Sequence, residues 1–267
     1  MKFSASLSRA VAILSISVAA ALGFTSVADA RPNVSGDLLT PGTLLVGSDI
    51  PYPPFEQGRK PHYGGFDIDL VNAVAKKLHL KVKIKDTAFD TIFTDVARRK
   101  FDLVASAATI TPDRKRTVAF SDPYYDALQS IVVRRHSRIH SVSGLAGRVV
   151  GVQSGTVGEW FAKDETDAAR VVDFPNGPAA LRAVRRGRVD ATILDQPIVG
   201  KLSRHRKGLR VARNVSVGQF YGFAMSKDTP KLRRGVNWAL DRTKADGTFR
   251  RLYRKWFGIN PPRSLRR

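Results

Sequence analysis

Ser106-Ala107-Ala108-Thr109-Ile110-Thr111-Pro112-Asp113-Arg114 joins a short apolar run to the start of a helix, and the rest of the chain is organised around that junction. The preceding Leu103-Val104-Ala105 is brief and bounded, as a buried strand is. Thr111 reads as an N-cap and Pro112 as the first helical residue, where a missing N–H costs nothing. Arg114 then lies in the first turn, at the end of the helix that carries partial positive charge. A cation there is unfavourable by roughly a few tenths of a kcal/mol. An anion held between the guanidinium and the free N–H groups would reverse that cost, because both donate to it. The plainer alternative is an arginine that bends out into water.

The pattern on either side repeats the theme. Upstream, Thr43–Ser48 reads as a strand running into the proline-stiffened loop Asp49-Ile50-Pro51-Tyr52-Pro53-Pro54-Phe55-Glu56. Asp67 is placed to cap a helix whose apolar residues Ile68, Val71, Val74 and Leu78 recur at helical spacing. Lys81–Lys85 alternates as a half-buried strand, and Phe89, Ile92, Phe93 and Val96 open a second helical pattern. Downstream come a β-branched strand at Leu128–Val133, strands at Arg148–Val152, Val171–Phe174 and Val189–Leu194, and helical segments near 156–162 and 178–186. A strand-like return spans Val217–Met225, and one amphipathic helical segment spans Leu232–Phe257. Strands alternating with helices imply α/β architecture with mostly parallel sheets. Two such units joined by two strand-like crossings predict two lobes: 31–132 with 220–267, and 135–217, hinged near 133–134 and 218–219. Asp49, Ser106–Arg114, Thr156 and Asp195 all follow strands, at the ends where such sheets bind ligands.

Residues 1–30 have the character of a cleaved export signal. Lys2 and Arg9 begin it, Ala10–Gly23 is apolar, and Ala28-Asp29-Ala30 presents small residues for cleavage before Arg31. The apolar part is too short for a comfortable membrane span, so a periplasmic protein is expected. The chain has no cysteine, which excludes disulfides, thiolate metal sites and a cysteine nucleophile. The net charge of +22 becomes +21 once Lys2, Arg9 and Asp29 are removed. The cations are spread without interleaved aromatics, which together with export argues against nucleic acid and for a solvated basic surface, attracted at most to anionic lipid heads. The five histidines show no metal-ligand spacing, and neither metal nor cofactor is expected.

Gly65-Phe66-Asp67-Ile68-Asp69-Leu70, with Val74-Ala75 and Leu78, resembles the signature of the periplasmic polar-amino-acid-binding proteins, the family 3 solute receptors of ABC importers. Ser48-Asp49 to Phe55-Glu56, Thr109-Ile110-Thr111 with Arg114, Phe120-Ser121-Asp122-Pro123-Tyr124, Ser154-Gly155-Thr156, Asp195 with Pro197, and Trp256-Phe257-Gly258 follow the same pattern in order. The resemblance implies a two-lobed type II binding-protein fold and a monomer that captures an amino acid, closes, and docks on a membrane permease. It implies that Arg114 holds the ligand α-carboxylate with backbone N–H groups at Thr109 and Thr156. Asp195 would take the α-ammonium, with the Thr109 hydroxyl and the Ser106 carbonyl. Asp49, Tyr52, Phe89 and Gln153 match side-chain-pocket positions. Gln153 stands where glutamine receptors carry a lysine and Leu194 where they carry a histidine, which shifts the expectation from glutamine towards arginine, lysine, ornithine or histidine.

Other readings stay open on the residues themselves. Asp195 and Thr156 also suit plain helix caps, and Phe89 suits helix core. A prephenate or arogenate dehydratase on the same fold would need a general acid, for which Glu159 and Glu165 are the nearest candidates in the second lobe. A sensor or surface-adhering protein, using its basic face to meet lipid or a partner kinase or presenting its closed form to a separate receptor, is the remaining alternative.

Overall fold

The computed structural model of the protein describes residues 31–203 and 208–266. The expected export signal, residues 1–30, lies outside them. The chain forms β1 (Thr43–Ser48), a small hairpin of β2 (Gln57–Arg59) and β3 (His62–Gly64), α1 (Phe66–Lys77), β4 (Lys81–Asp86), α2 (Ile92–Ala97), β5 (Leu103–Val104), α3 (Pro112–Thr117) and β6 (Ala119–Phe120). Then follow β7 (Tyr125–Arg134), β8 (Val149–Gln153), α4 (Val157–Asp164), β9 (Arg170–Phe174), α5 (Gly177–Arg185), β10 (Ala191–Asp195) and α6 (Gln196–Ser203). The chain closes with β11 (Leu209–Tyr221), β12 (Ala224–Met225), α7 (Pro230–Ala245) and α8 (Thr248–Phe257).

Two five-stranded mixed sheets organise these elements. The first has the order β4-β1-β5-β12-β6 and the second β11-β7-β10-β8-β9. β1 runs parallel to β4 and β5, and β8 runs parallel to β9 and β10. The carboxyl ends of these parallel strands carry the loops of interest. One face of the first sheet is covered by α1, α7 and α8, whose Leu70, Val74, Val236, Leu240, Phe249 and Tyr253 share one buried cluster. The other face packs Ile92, Val96, Phe101, Val104 and Phe120. In the second sheet Ile131, Val150, Val152 and Ile193 meet Phe161 of α4.

The strands β7 and β11 carry the chain between the two cores. Their ends at Tyr125 and Tyr221 stack at 5.3 Å in the aromatic core around Phe55, whereas Ile131 and Val133 belong to the second core. Gln129–Val133 pair with β10 in the second sheet, to which β7 belongs along its whole length. The strand is unbroken over ten residues, and its β-branched pattern carries no mark of where it passes from one core to the other. β11 continues to Tyr221, with its register shifted between Ser216 and Gln219.

Two local expectations also change. The helical stretch 232–257 is two helices, because Gly247 takes φ 75° between α7 and α8. Asp67 does not cap α1; Gly65 does. At Gly65 φ is 129° and a Cβ would lie 1.9 Å from the Phe55 carbonyl oxygen, so no other residue fits this approach. Asp67 is fully buried and accepts from the Ala107 N–H (2.8 Å) and the Tyr124 hydroxyl (2.6 Å). It thereby ties α1 to the Ser106–Arg114 loop.

Candidate functional site

The loop after β5 is built as its sequence suggests. The Thr111 hydroxyl accepts from the Arg114 N–H at 3.2 Å, and Pro112 occupies the first turn of α3. Ala107 holds the uncommon φ of 44°, fixed through its N–H by Asp67. Arg114 does not bend out into water. Its guanidinium donates to the Thr109 carbonyl (2.8 Å) and, across to the loop after β8, to the Gly155 carbonyl (2.8 Å). It lies over Phe93 at 4.3 Å and Phe89 at 5.3 Å from the ring centroids. Burial lowers its pKa to about 10, opposed by the charge of Asp195, so it remains a cation at neutral pH.

The second sheet supplies the opposing charge. Asp195 ends β10, and its carboxylate accepts from the Tyr52 hydroxyl (2.6 Å) and from the Gln129 amide. Burial raises its pKa, while the bonds from Tyr52 and Gln129 and the charge of Arg114 hold it down. Thr156 caps α4, accepting from the Glu159 N–H and donating to the Gln153 carbonyl. One narrow cavity is lined by all nine residues the sequence put forward: Asp49, Tyr52, Phe89, Ser106, Thr109, Arg114, Gln153, Thr156 and Asp195. Three hydrogen bonds span it from one sheet's loops to the other's: Arg114 to Gly155, Tyr52 to Asp195, and Gln153 to Asp49 (2.6 Å).

One end of the cavity is acidic. Asp49 rises to about pKa 6, first through burial and then through the neighbouring charges of Asp86 and Asp90, against the bond from Gln153. The Asp49 N–H is held by the Ser106 hydroxyl at 2.9 Å, and Gln153 is pinned by accepting from the Gly177 N–H at 2.9 Å. Beneath the pocket, Glu56 is fully buried next to Asp67; burial and then the Asp67 charge push its carboxyl well above the usual range. The shift favours the protonated form of Glu56, and neither residue of the pair lines the cavity.

Sequence reasoning missed four contributors. Phe93 was read only as helix core, although it carries the guanidinium. Gln129 was one polar residue in an apolar strand, a signal that could have marked it. Asp86 and Asp90 end a lysine-rich strand and its loop, and nothing local ties them to Asp49. Glu159 and Glu165, the acids weighed for catalysis, do not line the cavity. Glu159 accepts from the Gly155 N–H and pairs with Lys163.

The model of the bacterial extracellular solute-binding proteins, family 3, matches residues 44–259. The chain belongs to that family. It is 30% identical over 220 residues to "ABC transporter arginine-binding protein 1" of Escherichia coli (strain K12), covering 80% of this chain and 90% of that protein. Among solved structures, an ancestral arginine-binding protein bound to glutamine matches with a TM-score of 0.79 and 37% identity over 82% of this chain and all of that one. An ancestral amino-acid-binding protein described as a precursor of cyclohexadienyl dehydratase matches at 0.75 and 40% identity, over 81% and 95% of the two chains. The fold is the two-lobed type II binding-protein fold, and the family is extracellular.

Proposed function

We propose that this family 3 solute-binding protein is the receptor of an ABC importer for an L-amino acid, with preference for a cationic side chain. In this reading the Arg114 guanidinium takes the α-carboxylate, with N–H groups of Thr109 and Thr156. Asp195 takes the α-ammonium, with the Thr109 hydroxyl and the Ser106 carbonyl. The observation that carries the reading is the pairing of one half-buried cation, from the first sheet, with one buried carboxylate, from the second, at a single cavity. An amino acid is a zwitterion and complements that pair, and charge-assisted bonds on both ends are the strong kind. Because the two groups come from different sheets, a ligand that touches both favours the closed arrangement and shifts a hinge equilibrium towards it. The hinge lies where β7 and β11 pass between the cores.

Preference for a cation rests on Asp49 with Asp86 and Asp90 at one end of the cavity. Tyr52 and Phe89 would flank the side-chain stem, and Gln153 would orient Asp49. The relative named for arginine supports the same preference. An enzyme reading draws on the likeness to a dehydratase precursor, which is itself described as a binding protein. Neither Glu159 nor Glu165 reaches the cavity as a general acid, so binding without turnover is the better account.

A thermal-shift panel on the refolded mature chain, residues 31–267, tests this against the common amino acids, ornithine, citrulline and prephenate. Ligand at about 100 times its dissociation constant adds about 2.7 kcal/mol of stability. Arginine, lysine, ornithine or histidine should shift the wild type and not Arg114→Ala or Asp195→Ala. A response to prephenate alone would sink the receptor reading.

A further inference from the structure

The helices α1, α7 and α8 cover one face of the first sheet and bury their apolar sides in a common core. Their outer sides are strongly basic. Lys76, Lys231, Arg233, Arg234, Arg250 and Arg254 are all exposed, and among the described residues none of the six forms an ion pair. The acids of this layer are few. Asp69 is taken by Lys255 (2.7 Å) and the Trp256 indole (2.8 Å), and Asp246 by Lys77 (2.6 Å). Asp241 alone is exposed beside the cations. The amino-acid cavity lies elsewhere, at the carboxyl ends of the strands, so binding and fold do not account for this charge. We propose that this helix layer docks the protein on an anionic phospholipid surface.

Three observations select a bilayer over other polyanions. The cations are distributed over three adjacent helices rather than gathered in one cleft, which suits an extended surface. Among the described residues no exposed aromatic is interleaved with them for base stacking: the exposed large apolar residues are Leu39, Trp160, Val211 and Ile259, of which Ile259 adjoins these helices, while Trp238 and Trp256 are half-buried beneath Arg242 and Lys255. A protein interface would instead need an apolar or aromatic centre. The contact is electrostatic and peripheral, without insertion, because α8 keeps its aromatic side in the core. Long Lys and Arg side chains near anionic headgroups are attracted over about a Debye length, about 10 Å at 0.1 M salt. On the proposed reading as an importer's receptor, such adsorption would hold the protein near the membrane that carries the importer.

The test is co-sedimentation of the mature chain with vesicles of phosphatidylcholine alone or with about 30% phosphatidylglycerol, at about 50 mM and about 500 mM salt. Two variants carry the same change in net charge. One has Arg233→Glu, Arg234→Glu, Arg250→Glu and Arg254→Glu on the helix layer. The other has Arg182→Glu, Arg185→Glu, Arg186→Glu and Arg188→Glu on and after α5, in the second lobe. Thermal unfolding confirms that each is folded. The wild type should partition onto anionic vesicles only, and be released by high salt. The helix-layer variant should lose more than about 100-fold in partitioning, and the second variant less than about tenfold. Equal losses in the two variants, no partitioning of the wild type, or partitioning insensitive to salt would each overturn the proposal.

Discussion

Replacing Asp49 with Asn should make the protein more stable and a poorer receptor for cationic ligands at once. The native carboxyl keeps its proton to about pH 6, whereas in the unfolded chain it releases it near 3.8. Between those values the native state binds more protons, so stability falls as pH rises through the window and the loss is complete above it. A separation of about two pH units at about 1.4 kcal/mol each gives about 2–3 kcal/mol, at the upper end if the carboxyl stays as shielded as in the closed cavity. The Asn carbonyl can still accept from Gln153, so that hydrogen bond is kept. Thermal or urea unfolding of wild type and Asp49→Asn, without ligand, from pH 4 to pH 8 isolates the effect. The curves should meet near pH 4 and separate by about 2–3 kcal/mol by pH 7, the variant being the more stable. In parallel, titration with arginine should weaken by tenfold or more, since about 1.4 kcal/mol is one factor of ten. A constant offset between the curves at every pH would refute the reasoning. It would mean that Asp49 is solvated and that burial and the neighbouring Asp86 and Asp90 do not act on it.

Other outcomes follow from the same contacts. Arg114→Ala should weaken every amino-acid ligand by at least about 100-fold, because it leaves a carboxylate in the cavity without its partner; calorimetric titration with several amino acids checks this. Gly65→Ala should cost more than about 4 kcal/mol, or prevent folding, since its Cβ would overlap the Phe55 carbonyl; the urea midpoint reads the effect. Glu56→Gln should leave stability within about 1 kcal/mol of wild type, because burial and the Asp67 charge already push the carboxyl towards the neutral form that glutamine resembles. Tyr124→Phe removes the hydroxyl that donates to buried Asp67 and should cost about 1–3 kcal/mol by chemical denaturation.

The architecture was legible where local rules and tertiary demands coincide. Thr111 and Pro112 start α3 by capping chemistry that needs no distant partner, and the parallel strands follow from apolar runs separated by helical patterns. That the candidate residues line one cavity was legible for the same reason. Asp49, Ser106, Thr156 and Asp195 each follow a strand, and the ordered motifs made their convergence expected. What escaped notice depends on contacts between segments far apart in sequence. Asp67 looked like a cap but serves Ala107 and Tyr124, 40 and 57 residues away. Asp86 and Asp90 matter only because β4 lies beside β1. The passage of β7 between the two cores was invisible because one continuous strand serves both, and Gln129 meets Asp195 only through its pairing opposite it.

The most direct test of the account is calorimetric titration of the refolded mature chain with L-arginine, citrulline and agmatine. Arginine offers the carboxylate, the ammonium and a cationic tip; citrulline loses the side-chain charge and agmatine the carboxylate. Arginine should bind, citrulline should bind at least about tenfold more weakly, and agmatine should lose about 100-fold or more without its bond to Arg114. Agmatine binding as tightly as arginine would contradict the clamp between Arg114 and Asp195, whatever the side-chain preference proved to be.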